Sequence, residues 1–373
     1  MPLNQSFPPQ ADGRPVLANE TSAADASSLK PSISVIIMNY NGAPWLERCL
    51  DSIRRQTLFD EIEVIVGDNA SPDQSGRLAA EITRDWPHTR VLQFDTNLGY
   101  SGGHNCAAKQ AGGDFLLFLN NDTWLEPDCL EHLLQDMKTA GAMAATPLVM
   151  DYVSDRMQSV GESGFDIFGL ACGPIIWSHR REIFIATGPA LIVERNLFET
   201  LGGFDGEFFM YAEEYDLCWR VWSSGYKVIL ALSARAHHRG APDVNPRGSQ
   251  EVLEIRTSDT KRFYANRNNL LVLLKNSQHL LLALVPLQLL MLSAENLVVG
   301  LLLRRWTYVQ RSLIEPVRDC WRLRRHILAE RRRLRALRKH GDFWMLRFLR
   351  PQLNRGRELR RFMRFGFPKV DPK

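Results

Sequence analysis

At 373 residues, with 45% hydrophobic and 24% charged residues, the chain is long enough to bury a core of its own and too apolar to be disordered throughout. Its six cysteines include no Cys-x-x-Cys pair, so neither a zinc ribbon nor a disulfide framework is signalled. The net charge of +4 conceals a division: from Arg304 to Lys373 there are 22 Lys+Arg against 6 Asp+Glu, a net +16, which leaves −12 on the preceding residues.

Residues 1–31 lack a basic start followed by an apolar run, and their Pro, Ser, Ala and Asn content predicts a disordered leader and a cytoplasmic start. The β-branched run Ser34 to Met38 predicts a buried strand, followed by an amphipathic helix over Ala43 to Gln56. Further strands are predicted at Glu63 to Gly67, Arg90 to Phe94 and Asp114 to Leu119, the last stopping at Asn120-Asn121-Asp122 before a helix start near Glu126-Pro127. Ala142 to Val149 is strand-like, Gly161 to His179 reads as a loop or short hairpin, and alternation resumes at Ile183 to Val193. A turn at Gly202 to Asp205 precedes a helix over Glu213 to Ser224, and Lys227 to Leu232 is again strand-like, with His237 and His238 on the loop that follows.

This alternation predicts an α/β fold with a doubly wound, mostly parallel sheet flanked by helices, whose ligands sit beyond the carboxyl ends of the strands. Asn39, Asp68, Asn97 and Asp122 all follow such ends. The expected domains are a catalytic unit over 32–270, a leucine-rich segment over 271–303 and a basic helical tail over 304–373.

A crevice of this kind suits a nucleotide. A leaving diphosphate gains charge, and a divalent cation held by one or two carboxylates and phosphate oxygens neutralises it. Asp122 is placed to ligate such an ion, with capping of the following helix as its alternative role. Asp68 is placed to accept from a base or ribose, with a plain turn as the alternative. Between them, Asn97 to Asn105 contains glycines that permit close backbone approach. No Gly-x-Gly-x-x-Gly follows the first strand and no Walker lysine is present, which counts against a dinucleotide enzyme and a P-loop ATPase. The stretch Phe208 to Arg220 concentrates Glu213, Glu214 and Asp216. On a helix Glu213 and Asp216 share a face while Glu214 points about 100° away, so one carboxylate can serve as a general base while others pair with Arg220. His238 is a candidate to complete the metal site.

Taken together, Val35-Ile-Ile-Met-Asn39-Tyr-Asn41, Gly67-Asp68-Asn69-Ala-Ser71, Asn97-x-Gly99-x-x-x-Gly103-x-Asn105, Leu119-Asn-Asn121-Asp122, Gly202-Gly203-Phe204-Asp205, Glu213-Glu214-x-Asp216-Leu-Cys-x-Arg220, the late His238 and Tyr264-x-x-Arg267-Asn268 resemble the family 2 glycosyltransferases of the GT-A fold, and among them bacterial rhamnosyltransferases. The resemblance runs from about Ser32 to Asn269. It implies a nucleotide-sugar site of Asn39, Asn41, Asp68, Asn97, Gly99, Gly103, Asn105 and Asn121, and a Mg²⁺ or Mn²⁺ site at Asp122 with His238. It also implies a catalytic base at Glu214, with Glu213 and Asp216 as alternates, and acceptor-side roles for Gly203, Phe204, Asp205 and Arg220. Two positions depart from the family pattern: Asn120 replaces the first carboxylate of an Asp-x-Asp motif, and Glu214 replaces the usual Asp. The implied single in-line displacement inverts the anomeric carbon.

Leu280 to Leu303 is long enough to cross a bilayer but contains Pro286, Gln288, Glu295 and Asn296. One crossing would put the basic tail opposite a cytoplasmic catalytic unit, so an in-plane or re-entrant segment is expected. The Arg-rich helices predicted over Arg304 to Arg364, with interleaved Trp306, Tyr308, Trp321, Phe343, Trp344, Phe348 and Phe365, suit an anionic membrane surface; no nucleic-acid-binding motif is visible. The sequence therefore predicts a peripheral enzyme on the inner face of the cell membrane. It is expected to move a sugar, with rhamnose suggested by the resemblance, from a dTDP- or UDP-linked donor to a glycan or lipid-linked acceptor. A sugar nucleotidyltransferase and a non-catalytic sugar-nucleotide-binding membrane scaffold are the competing readings.

Overall fold

A computed structural model describes residues 16–20, 31–173, 181–240, 256–356 and 369–371. The elements run β1 (Val16–Glu20), β2 (Ile33–Asn39), α1 (Ala43–Arg54), β3 (Ile62–Asp68), α2 (Ser75–Ile82), β4 (Thr89–Gln93), α3 (Gly99–Ala108), β5 (Phe115–Asn120), β6 (Thr123–Leu125), α4 (Cys129–Ala140), β7 (Ala144–Asp151), β8 (Met157–Ser159), β9 (Gly164–Phe165), β10 (Ala171–Cys172), β11 (Ala190–Glu194), α5 (Arg195–Thr200), α6 (Glu213–Ser223) and β12 (Val228–His238). They continue through α7 (Asp259–Asn276), α8 (Leu284–Leu303), α9 (Trp306–Val309), α10 (Glu315–Arg322), α11 (Arg324–Leu337) and α12 (Asp342–Met345).

The main sheet has the order β1-β4-β3-β2-β5-β11-β7-β12-β6, with β8 beside β7. Strands β4, β3, β2 and β5 are mutually parallel, as are β7 and β12. Antiparallel pairings of β11 with β5 and β7, and of β6 with β12, make the sheet mixed rather than simply parallel. The physical reason is connectivity: β11 enters from the loop after Ile183 and runs against β5. Within the expected leader, Val16–Glu20 add an antiparallel strand to β4. Apart from Pro31, the rest of that leader lies outside the described residues.

Apolar side chains cover both faces of the sheet, which is why the central strands read as unbroken hydrophobic runs. Ile36, Leu116 and Phe118 enter the core shared with α6 and α7, while Val35, Ile37, Leu117 and Leu119 enter the core shared with α1 and α4. Polar groups are consequently displaced to the strand ends, where the site forms.

The C-terminal region is built into the body. Phe348 lies 4.6 Å from Phe184 and 4.9 Å from Trp222, and Met345 is fully buried. Arg331 donates to the carbonyls of Leu274, Ser277 and Gln278 at the end of α7, and Asp342 accepts from the amides of Gln278, His279 and Leu281. Tyr308 and Phe348, expected on a lipid-facing surface, are therefore interior, whereas Trp306, Trp321 and Phe343 are exposed. Phe365 and residues 357–368 lie outside the described residues.

Candidate active site

The ends of β2, β3 and β5 are tied together by amides. Asn39, fully buried, donates from Nδ2 to Asp68 Oδ1 at 2.8 Å and to Ser75 Oγ at 2.7 Å, and its Oδ1 accepts from Asn121 Nδ2 at 2.8 Å. Asp68 also accepts from Gln93 Nε2 at 2.7 Å and from the Ser71 amide at 3.2 Å, and it is 2% exposed. A buried carboxylate needs such donors, and these fix it at the floor of the crevice. Asn39 and Asn121 are thereby braces of the floor. Asn41 is exposed, in the left-handed region at φ 53°, and its amide bonds Ser71 Oγ at 3.1 Å. Tyr40 beside it is 48% exposed, an aromatic face that the sequence reading passed over.

On the next loop, Asn97 Oδ1 accepts from the Gly99 amide at 2.8 Å and from Asn69 Nδ2 at 3.0 Å. Gly99 has φ +70°, and a side chain there would strike Phe209. Gly103 lets α3 approach β2, since a Cβ would lie 2.6 Å from Met38 Sδ. Asn105 does not reach the crevice: it donates to the Phe204 carbonyl at 2.7 Å and accepts from the Phe204 amide at 2.9 Å.

With Asn121 turned inward, Asp122 is left partly open beside His238, whose Nε2 lies 3.4 Å from Asp122 Oδ1. His238 is not on a loop, as expected, but is the last residue of β12, opposite Thr123 of β6 and Asp151 of β7. Gln158 Nε2 donates to the His238 carbonyl at 3.1 Å, so Gln158 Oε1, 2.8 Å from His238 Nδ1, accepts a hydrogen bond from Nδ1–H. Nε2, the other ring nitrogen, is left facing a carboxylate oxygen. Two acceptors facing each other repel unless a proton or cation lies between them, and a carboxylate with an imidazole fits a divalent ion that keeps phosphate and water ligands. His237 has a structural role, stacked on Trp124 at 3.7 Å and bonded to the Asp151 carbonyl. Among the described residues no group of three or more His, Cys, Asp or Glu converges on one point.

The three acidic residues of α6 have separate fates. Asp216 is fully buried and accepts from Arg220 Nε at 2.9 Å, Lys275 Nζ at 2.8 Å and Asn276 Nδ2 at 2.7 Å, so it is not available as a base. Lys275 also bonds Asp205 at 2.7 Å, and His326 Nε2 reaches the same Asp205 oxygen at 2.9 Å. Asp205 and Arg220, expected at the acceptor side, thus belong to an interior ionic network. Phe204, 1% exposed, packs among Phe118, Phe198 and Tyr100, and Gly203 sits against Asn105. Glu213 is buried with Oε2 lacking a hydrogen-bond partner, and burial, then the Glu214 charge, hold its carboxyl well above the usual range. Glu214 retains an open face; burial foremost, and then the Glu162 charge, raise its carboxyl to about 7.

The backbone before α6 is strained. Phe209, Tyr211 and Ala212 all have positive φ, at 59°, 70° and 64°. Non-glycine residues there cost roughly 1–3 kcal/mol each and persist only where surroundings impose them. Asn268 Nδ2 lies within 2.9 Å of the Phe208, Met210 and Tyr211 carbonyls, Arg267 donates to the Glu207 and Phe208 carbonyls, and the Tyr100 amide donates to the Phe209 carbonyl at 2.6 Å. The Tyr100 hydroxyl bonds the Gly188 carbonyl at 3.2 Å; Glu214 approaches Gly188 from α6, and the neighbouring Pro189 carbonyl accepts from the Asn120 amide at 3.0 Å. One loop therefore joins the end of β5 to the carboxylates of α6. A cavity of about 380 Å³ lined by Arg181, Glu182, Lys227 and Arg347 shares none of these residues.

Residues 34–216 match the family described as Glycosyl transferase family 2. Residues 34–216 belong to glycosyltransferase family 2. The chain is 28% identical over 229 residues to the O-antigen biosynthesis protein RfbC of Myxococcus xanthus, covering 57% of this chain and 18% of that protein. It is 33% identical over 133 residues to the putative glycosyltransferase EpsH of Bacillus subtilis, covering 36% and 37%. Against the N-acetylglucosaminyl-diphospho-decaprenol L-rhamnosyltransferase of Mycobacterium tuberculosis the identity is 28% over 268 residues, covering 64% and 85%. The chain thus spans well under half of the first two relatives and most of the third. The fold resembles S. aureus TarS 1-349 in complex with UDP-GlcNAc, with a TM-score of 0.52, 19% identity, and coverage of 82% of this chain and 90% of that one. It also resembles GalNAc-T7 with UDP, GalNAc and Mn²⁺, with a TM-score of 0.54, 16% identity, and coverage of 66% and 48%.

Proposed function

We propose that this protein is an inverting, metal-assisted glycosyltransferase of cell-surface polysaccharide synthesis, taking a UDP- or dTDP-linked sugar to a glycan or lipid-linked acceptor. Rhamnose is the donor sugar suggested by the mycobacterial relative, and N-acetylglucosamine the one suggested by the TarS complex. The observation that carries the reading is the position of Glu214, the one carboxylate of three on α6 with an open face, against the Gly188-Pro189 loop that also bonds the end of β5.

In this reading the base of the donor lies over the β2–β3 floor, where Tyr40 offers it a face and Asn41, Asp68 and Asn97 offer polar groups. Asp122 and His238 would hold Mg²⁺ or Mn²⁺, which neutralises charge on the departing diphosphate. Glu214 accepts the proton of the acceptor hydroxyl as its oxygen bonds the anomeric carbon and the bond to the diphosphate breaks. A carboxyl poised near 7 is well matched to that transfer at neutral pH. Burial, and after it the Glu162 charge, maintain the basicity of Glu214, while the buried Glu213 beside it is held protonated.

The test is donor turnover across UDP- and dTDP-sugars with and without chelator. Chelator-sensitive release of nucleoside diphosphate supports transfer; release of pyrophosphate points to a nucleotidyltransferase, and silence across the panel contradicts an enzymatic role.

A further inference from the structure

Helix α8 is amphipathic in the inverted sense. Its inward line, spaced every fourth residue, is Gln288, Leu292, Asn296 and Gly300. Every residue classed as exposed between 283 and 302 is apolar, and the large ones are Leu287, Leu290, Leu297, Val298, Leu301 and Leu302, between 42% and 77% exposed. A helix in water turns its polar side outward; this one presents leucine and valine and keeps its amides inside.

The single acidic residue of α8 is neutralised. Glu295 pairs with Arg262 of α7 at 3.2 Å and with Arg355 at 2.8 Å. The rim supplied by the elements that follow α8, of which Leu313 and Cys320 pack beside Leu292, is basic: Arg304, Arg311, Arg318, Arg322 and Arg325 are exposed, with Trp306 and Trp321 at 60% and 69% exposure. A second copy of the chain would bring the same basic rim against itself, whereas an anionic headgroup layer complements it.

We propose that the outer face of α8, with the exposed Trp306 and Trp321 and the arginine rim, is an in-plane docking surface for an anionic lipid bilayer. The helix lies in the interface and does not cross. Its inner line is bound to the body over most of its length: Leu292 packs with Leu270 and Cys320, a Cβ on Gly300 would lie 2.3 Å from Val309 Cγ2, and Glu295 is held by arginines. A crossing would carry those charges and α7 into hydrocarbon. Helix α7 also carries Asn268, so the docked face lies one helix from the run that leads into α6 and Glu214. That consequence, a short path to a lipid-linked acceptor, rests on the proposed function; the docking does not.

The experiment is flotation of the full-length protein, without detergent, with vesicles of roughly three parts phosphatidylcholine to one part phosphatidylglycerol, and with phosphatidylcholine alone. The wild type should rise with the anionic vesicles, less in high salt, and at least about tenfold less with the neutral ones. The triple variant L290E/L297E/L301E, checked for unchanged circular dichroism and a monodisperse profile, should remain at the bottom. A second set, R318E/R322E/R325E, should lose the preference for anionic lipid. Trypsin added outside the vesicles should digest the basic tail fully. Flotation of the leucine variant at the wild-type level, absence of wild-type flotation, a wild-type dimer that the variant splits, or a protected C-terminal fragment would each overturn the proposal.

Discussion

The Asn268 side-chain amide donates to the Tyr211 carbonyl at 2.7 Å, and the same nitrogen serves Phe208 and Met210. Two N–H groups are thus shared among three carbonyls of a run whose backbone is held in the left-handed region. The amide offsets strain that would otherwise relax and carry Glu213 and Glu214 with it. Replacing Asn268 by Ala removes roughly 2 kcal/mol of hydrogen bonding at this loop. The expected result is a fall in kcat of about tenfold or more with nucleotide affinity unchanged, measured by steady-state kinetics and calorimetry. Equal losses in both would instead mark a general defect in the fold.

The raised Glu214 carboxyl gives the reaction a pH signature. A base must be ionised, so kcat/KM should climb about tenfold per pH unit below about pH 7 and level off above it. A profile flat from pH 5 to 8 would exclude Glu214 as the titrating group.

His238 and Gln158 set the demand for metal. Removing the ring in His238→Ala, or the amide that orients it in Gln158→Ala, should raise the Mn²⁺ concentration for half-maximal donor binding by about 10- to 100-fold. Titrating the metal into a fluorescence assay of nucleotide binding reads this without turnover. Indifference of both variants to metal concentration would remove His238 from the site.

Asp205, the acceptor of the His326 bond, holds the imidazole above its ordinary range, with Glu207 adding to the shift and Lys275 opposing it. A group whose folded pKa is raised stabilises fully below its unfolded value, near 6.5, and loses that stabilisation as pH rises through the folded value. Because His326 is about a third exposed, the contribution is at most about 1 kcal/mol. His326→Gln should therefore be less stable than wild type in urea at pH 5.5, and the gap should close by pH 8.5. A gap that widens with pH would contradict the sign of this shift.

Much of the parallel half of the sheet was legible because strands buried on both faces appear as continuous apolar runs, and β2 to β5 lie within two residues of the predicted spans. Asp68 and Asp122 were legible for the same reason, as the polar residues at which those runs stop. The interior placement of Asp205, Arg220 and Asp216 was not. The resemblance suggested acceptor-side roles for Asp205 and Arg220 and an alternate base at Asp216, with pairing to Arg220 the one part anticipated, and only the arrival of Lys275 and Asn276 on α7 turns them into a network that survives burial. His238 was expected on a loop because β6 is three residues long and carries no periodicity of its own. Gln158 and Tyr100 were missed: one acts through a side-chain bond from a short edge strand, and the other through contacts that only tertiary packing creates.

The central claim is that Glu214 is the base of a nucleotide-sugar transfer, and Glu214→Gln tests it most directly. With the donor found by the panel, saturating Mn²⁺ and a glycan or lipid-linked acceptor, the variant should bind the nucleotide as the wild type does. Its sugar transfer should fall by about 10²- to 10⁴-fold. Wild-type transfer by Glu214→Gln would contradict the account.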